Sequence, residues 1–250
     1  MTTDPPPPRR KWHLQRWLLL LAAGFLAAGF LAYGGWTQYA FRSALAEAKA
    51  LGWSVGYADP DEVIRADWKA AFRKATWLDG VTGVGIPTSE AFEQHLAIVH
   101  RLNPKALIIE NAPTLRDLSA LKAPTRLEGL VLFGCTGLTN VDGLKNLSAL
   151  RYVWLIDCKV LTNVDALKDL SALQQVRLID CKVLMNVDAL KNLSALQEVS
   201  LNRCTGLTNV DALKNLSALQ RVDLTGCTGL TEESVASLQA ALPNTEISAP

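Results

Sequence analysis

The chain has 250 residues, 49% of them apolar and 20% charged, and its formal net charge is +1. That length supports one large or two small folded units. The balanced charge argues against nucleic acid as a partner, because phosphate binding needs a cationic surplus and the only block of Lys and Arg lies within residues 1–16.

Residues 1–16 form a Pro-rich, basic tail with Arg9, Arg10, Lys11 and Arg16. The segment "WLLLLAAGFLAAGFLAYGGW", residues 17–36, carries no charge. As a helix it rises about 30 Å, the thickness of the hydrocarbon layer. Trp12 and Trp17 at one end, with Tyr33, Trp36 and Tyr39 at the other, match interfacial aromatic belts. We therefore expect one transmembrane anchor over 17–36. The excess of positive charge before it places the N-terminus in the cytoplasm and the rest of the chain outside. A cleaved signal peptide ending near Ala32 and Gly34 is the alternative, although the apolar run exceeds the usual 7–15 residues; either way the remainder is exported. Gly24, Ala28 and Ala32 share one helix face, a pattern that lets two such helices approach and form a homodimer, and equally the ordinary Ala/Gly content of a membrane helix.

Residues 37–51 continue as a juxtamembrane helix. Residues 52–103 read as an αβ capping module. "WSVGYA" is a short strand, Asp59, Pro60 and Glu62 suit a helix start, Val84 and Ile86 lie on a second strand, and "TSEAFEQHLAIVHRL" has Phe92, Leu96 and Val99 on one helical face.

A strict period governs the remainder. Cys135, Cys158, Cys181, Cys204 and Cys227 are each 23 residues apart, and "CTGLTNVDALKNLSAL" from Cys204 differs from the stretch at Cys135 only in having Ala212 for Gly143. With units starting at Leu127, Leu150, Leu173, Leu196 and Leu219, apolar residues recur at unit positions 1, 4, 6, 12, 15, 18 and 21, with Cys at 9. A further unit from Pro104 places Leu107, Ile109, Ala112, Leu115, Leu118 and Leu121 in the same frame. The repeats thus cover 104–241, and 242–250 form the C-terminal cap and tail; Leu230, Val235, Leu238 and Leu242 suggest a helical arc and "TEI" a last strand.

The pattern L-x-x-L-x-L-x-x-C-x-x-L resembles the leucine-rich repeat, and its continuation "LTNVDALKNLSAL" is similar to the short-arc units of bacterial internalin-type proteins. The resemblance implies an α/β solenoid, a horseshoe with a parallel β-sheet on its concave face and turns or 3₁₀ segments on its convex side. It also implies a bacterial binding protein, and the anchor expected over 17–36 would make it one of the inner membrane with a periplasmic or other extracytoplasmic repeat domain. A single unit buries too few side chains to offset the entropy of ordering it, so units must stack and both ends need caps.

Stacking aligns the cysteines at about 4.7–4.9 Å with parallel Cβ vectors, unlike the facing vectors of a disulfide. Five buried thiols are expected, with no metal site and no cofactor. Asn140, Asn163, Asn186 and Asn209 form a column on the arc, as do Asp142, Asp165, Asp188 and Asp211, the latter placed to bond turn N–H groups.

Function is sought where units differ. Strand positions 3, 5 and 7 face the concave surface and vary. Phe133, Tyr152, Trp154, Ile156 and Ile179, extended by Val131 and Ile108, are expected to form an exposed apolar patch that anchors a protein or peptide ligand, unless the N-terminal cap folds over it as core. Arg177, Glu198, Arg221 and Asp223 make a polar half suited to orienting that ligand. No nucleophile, phosphate-loop or metalloprotease motif accompanies them, which argues against an enzyme. The alternative is a structural envelope tether that self-associates through its anchor.

Overall fold

The period of 23 becomes the register of one sheet. The computed structural model describes residues 43–44, 46–51, 54–56, 83–86, 92–119, 121 and 126–250; the basic tail, the expected anchor over 17–36 and the expected helix start at Asp59 lie outside them. Of two compact units, Met1–Ala44 and Leu45–Pro250, nearly all described residues belong to the second. Among the described residues no helix is long and apolar enough to cross a membrane.

The strands are β1 (Ser54–Gly56), β2 (Gly83–Ile86), β3 (Ala106–Glu110), β4 (Gly129–Phe133), β5 (Tyr152–Ile156), β6 (Gln175–Ile179), β7 (Glu198–Ser200), β8 (Arg221–Asp223) and β9 (Glu246–Ser248). They form one nine-stranded sheet in chain order. Only β1 with β2 is antiparallel; every later pair is parallel. From β2 to β8 each residue faces the one 23 positions on, as in Leu107↔Leu130, Leu130↔Val153 and Val153↔Val176. The last step, Arg221↔Glu246, is longer because helix α2 (Glu232–Ala241) replaces the short return. Helix α1 (Phe92–Leu102) precedes β3; its Arg101 pairs with Glu47 of the helical stretch 46–50.

Side chains at the even strand positions and at the arc positions of the frame point into one continuous core. Leu130, Leu132, Cys135, Leu138, Val141 and Leu144 are all wholly buried, and so are their counterparts in the next three units, apart from traces at Val164 and Val187. The unit from Pro104 obeys the same frame, with Leu107, Ile109, Ala112 and Leu118 buried. At the C-terminal end Val235, Leu238 and Leu242 close the core, and the Thr231 hydroxyl accepts a bond from the Ser234 amide at 3.1 Å to cap α2.

Two local devices turn each strand into its arc. Position 8 has positive φ throughout: Asn111, Gly134, Asp157, Asp180, Arg203 and Gly226. Gly, Asn and Asp tolerate this left-handed geometry, whereas Arg203 is costly there; its guanidinium is held by Asp180 at 3.3 Å. The returns are 3₁₀ turns at Asp142–Leu144, Asp165–Asp169, Asp188–Leu190 and Asp211–Leu213. Their first N–H groups are satisfied by asparagine, not aspartate: Asn140, Asn163, Asn186 and Asn209 accept from the amides of Asp142, Asp165, Asp188 and Asp211 at 2.6–3.4 Å. Asp142 and Asp211 instead pair with Lys145 and Lys214 at 2.9 and 2.5 Å. On this side units are joined through position 13, where Thr139, Thr162 and Thr208 donate amide and hydroxyl to the carbonyl of the preceding unit.

The five cysteines are free and buried. The thiols of Cys204 and Cys227 donate to the carbonyls of Leu178 and Leu201 of the preceding unit at 2.9 Å, and that of Cys181 to Leu155 at 3.5 Å. Burial pushes the Cys135 thiol up to about 11, and burial with the neighbouring Cys204 pushes Cys227 up to about 12. Cys181 and Cys204 are raised first by the hydrogen bond with the adjoining thiol of the column. A neutral maleimide at pH 8 is therefore expected to label the native protein negligibly and to label five thiols after denaturation; one native disulfide would contradict the column. Stability should also fall on the alkaline side. The unfolded thiol ionises from its ordinary 9.0 while native Cys135 stays protonated to about 11. The unfolded state thus releases protons first, and Cys135 alone removes roughly 1 kcal/mol per pH unit across that window, readable in urea titrations at pH 9–11.

Candidate ligand-binding face

On the face of the sheet opposite the core, odd strand positions stack into three rows. The first runs Ala106, Gly129, Tyr152, Gln175, Glu198, Arg221 and Glu246; the second Ile108, Val131, Trp154, Arg177, Ser200, Asp223 and Ser248; the third Glu110, Phe133, Ile156 and Ile179. All eleven residues singled out from the sequence belong to these rows, so the register brings them onto one face.

Their exposure requires a correction. Val131, Tyr152 and Trp154 are only 3, 1 and 4% exposed, and with Ala106 and Ile108 they form a second hydrophobic cluster. The expected open aromatic patch is a packed layer. Its geometry explains the burial. A Cβ on Gly129 would lie 1.7 Å from the Tyr152 ring, so the tyrosine lies across the neighbouring strand in space that only glycine leaves free. Trp154 follows at 5.9 Å between ring centroids, and the Arg177 guanidinium lies over the Trp154 ring at 4.4 Å from its centre. What remains accessible of the patch is its rim: Phe133 is 42% exposed, and Ile156 and Ile179 are half-buried.

The polar half is ordered by ion pairs between adjacent strands. Arg177 donates to Glu198 at 2.7 Å, and Arg221 meets Glu246 at 3.2 Å. Arg177 is thus held from two sides, by Glu198 and by the Trp154 ring. Asp223 is partly buried and accepts hydrogen bonds from the Thr225 amide at 2.9 Å, from the Ser200 hydroxyl at 3.3 Å and from the Asn202 side chain at 3.4 Å. Burial works to raise its carboxyl, but the bonds from Thr225, Asn202 and Ser200 outweigh burial and hold it below the ordinary carboxylate range. No group of His, Cys, Asp and Glu among the described residues has the arrangement of a metal site.

One exposed feature was missed from the sequence. At position 11 most units have Gly137, Gly206 or Gly229, but units 2 and 3 have Val160 and Val183, 41 and 43% exposed, and Met185 at position 13 is 62% exposed. These residues sit on the turn side, outside the core frame. The signal was the "CKV" of these units against "CTG" elsewhere.

Each 23-residue unit supplies one strand of a parallel sheet, a left-handed bend and a 3₁₀ return around a column of leucines and cysteines. That is the architecture of the leucine-rich-repeat fold, and the chain adopts it. No family model matches it, and no curated protein does. Among solved structures it is similar to internalin C2 from Listeria monocytogenes, at 20% identity over 69% of this chain and 82% of that one, with a TM-score of 0.41. It is also similar to the leucine-rich repeat domain of the type III effector XopL, at 16% identity over 69% and 77% of the two chains, TM-score 0.38. A leucine-rich-repeat protein of Leptospira interrogans shares 16% identity over 60% of this chain and 56% of that one, TM-score 0.26.

The burial of the aromatic layer makes a distinct expectation. Trp154→Ala should cost about 3–5 kcal/mol of stability. Gly129→Ala should cost about 1–3 kcal/mol in the native protein but little on a Tyr152→Ala background, because the clash partner is gone. A double-mutant cycle by urea unfolding measures this coupling; additive effects would show that the ring does not lie over Gly129.

Proposed function

We propose that the protein is a non-enzymatic recognition module that binds an extended protein or peptide segment across β6–β8 of the sheet's open face. The observation that carries this reading is the contrast within the repeat. Core and arc are largely copied from unit to unit, while Gln175, Arg177, Glu198, Ser200, Arg221 and Asp223 differ from unit to unit and are polar; Arg177 is paired with Glu198, Ser200 with Asp223, and Arg221 with Glu246. Fixed polar groups lower the entropy cost of binding and select among ligands. The half-buried Ile156 and Ile179 and the exposed Phe133 supply an apolar margin beside them. The buried Tyr152 and Trp154 act as the floor that keeps Arg177 in place.

To test this, the full chain in detergent is immobilised and selected against a displayed random-peptide library. Peptides enriched on the wild type should lose affinity about tenfold or more on Arg177→Ala and Glu198→Ala, and keep it on the arc variants Asp165→Ala and Lys168→Ala. Binding that follows the arc and ignores the open face would overturn the reading.

The setting we propose is a single-pass anchor over residues 17–36, with the N-terminus cytoplasmic and the repeats outside a bacterial inner membrane. It rests on the uncharged run and on the cations before it. A reporter that is active only outside the cytoplasm should be active when fused after Pro250 and inactive when fused before Met1; the reverse pattern would overturn this topology. The spacing of Gly24, Ala28 and Ala32 favours a second reading, a tether that self-associates through the anchor. Under that reading, crosslinked dimers require residues 17–36 and are indifferent to Arg177 and Glu198.

A further inference from the structure

The charges of the open face do not cancel. Its ionisable groups in the three rows are Glu110, Arg177, Glu198, Arg221, Asp223 and Glu246. Both arginines are engaged, Arg177 by Glu198 and Arg221 by Glu246. Around them, Arg203 is held by Asp180 and Lys159 by Asp157. Among the described residues, Asp223 has hydrogen-bond donors around it but no cation. Its neighbour on the same strand, Arg221, pairs with Glu246 of β9. Both cations of the three rows are therefore committed within the fold, and the charge left over in those rows is negative.

Asp223 is also oriented. The Thr225 amide fixes one carboxylate oxygen, and Ser200 and Asn202, both from the preceding unit, fix the other. These donors are neutral, so they hold the carboxylate without neutralising it, and they keep it ionised. Its row continues through Ser200 and Arg177 to Trp154. A chain laid across the strands along this row passes from the covered tryptophan to the free carboxylate in about 14 Å, three strand spacings. That distance is spanned by about four or five extended residues.

Resting on the recognition function proposed above, we infer that the ligand is a cationic peptide segment whose lysine or arginine side chain seats on Asp223. A fixed, partly buried carboxylate without a counter-ion favours such a group twice: the attraction is weakly screened by solvent, and orienting the acceptor costs nothing at the moment of binding. An acidic segment would meet the same carboxylate as repulsion, which gives the face its discrimination.

The test uses the full chain in detergent and peptides enriched from the displayed random library. The consensus should contain Lys or Arg, and replacing that residue by norleucine in a synthetic peptide should weaken binding to wild type about tenfold or more but to Asp223→Asn less than about twofold. As a second readout that needs no variant, a carbodiimide should couple the lysine peptide to Asp223, located by fragmentation of the crosslinked product. Enriched peptides without a basic residue, an equal loss on both proteins, or coupling elsewhere would overturn the inference while leaving recognition by the open face intact. Failure to enrich any peptide, or enrichment indifferent to Arg177→Ala and Glu198→Ala, would remove both.

Discussion

The backbone hydrogen bonds of each strand are made only with the units before and after it, and everything else in the structure depends on that. A parallel sheet with a fixed offset of 23 residues leaves no unit able to satisfy itself. The Thr139, Thr162 and Thr208 contacts repeat the arrangement on the opposite side of the core, and the thiols of Cys181, Cys204 and Cys227 add a third line of contact between them. Because these lines reuse the same residue types at the same positions in most units, with Met185 the exception at position 13, the arc is nearly constant. The open face is largely released from that duty, the exception being the junction where Tyr152 needs Gly129 beneath it.

This division explains what could be read from the sequence. Core positions are visible because burial repeats with the period: Leu130, Cys135, Val141 and their counterparts follow from counting alone. The same counting places Tyr152, Trp154 and Asp223 on the opposite face. It cannot say whether that face is open. The fate of Tyr152 is decided by Gly129 in the adjacent strand, a pairing between two different units that no period contains. The arc shows a similar limit. Asparagine and aspartate both recur in every unit, and only the geometry shows that Asn140 and its counterparts satisfy the turn while Asp142 reaches Lys145. The ion pairs of Arg177 and Arg221, and hence the solitary state of Asp223, are equally products of which residues happen to be neighbours.

The two halves of the open face therefore have different physical characters. Across β3–β5 it is a dry aromatic and aliphatic layer that adds cohesion to the first units. Across β6–β8 it is a lattice of fixed charges that adds little stability, since partly exposed pairs are worth on the order of 1 kcal/mol or less, but gives direction to whatever approaches. Arg177 belongs to both, stacked on Trp154 and bonded to Glu198.

The nesting of Tyr152 over Gly129 also bears on how such a chain can change its copy number. Units 2 and 3 share "LIDCKV" and stack without special accommodation, so an extra copy inserted between units 3 and 4 finds a compatible surface on either side. Unit 2 inserted after unit 3 or unit 4 would lay its tyrosine over Gln175 or Glu198, whose Cβ would meet the ring as a Cβ on Gly129 would. The solenoid is extensible toward its C-terminus and locked at its first junction, so lineages that lengthen or shorten this protein are expected to do so beyond β5.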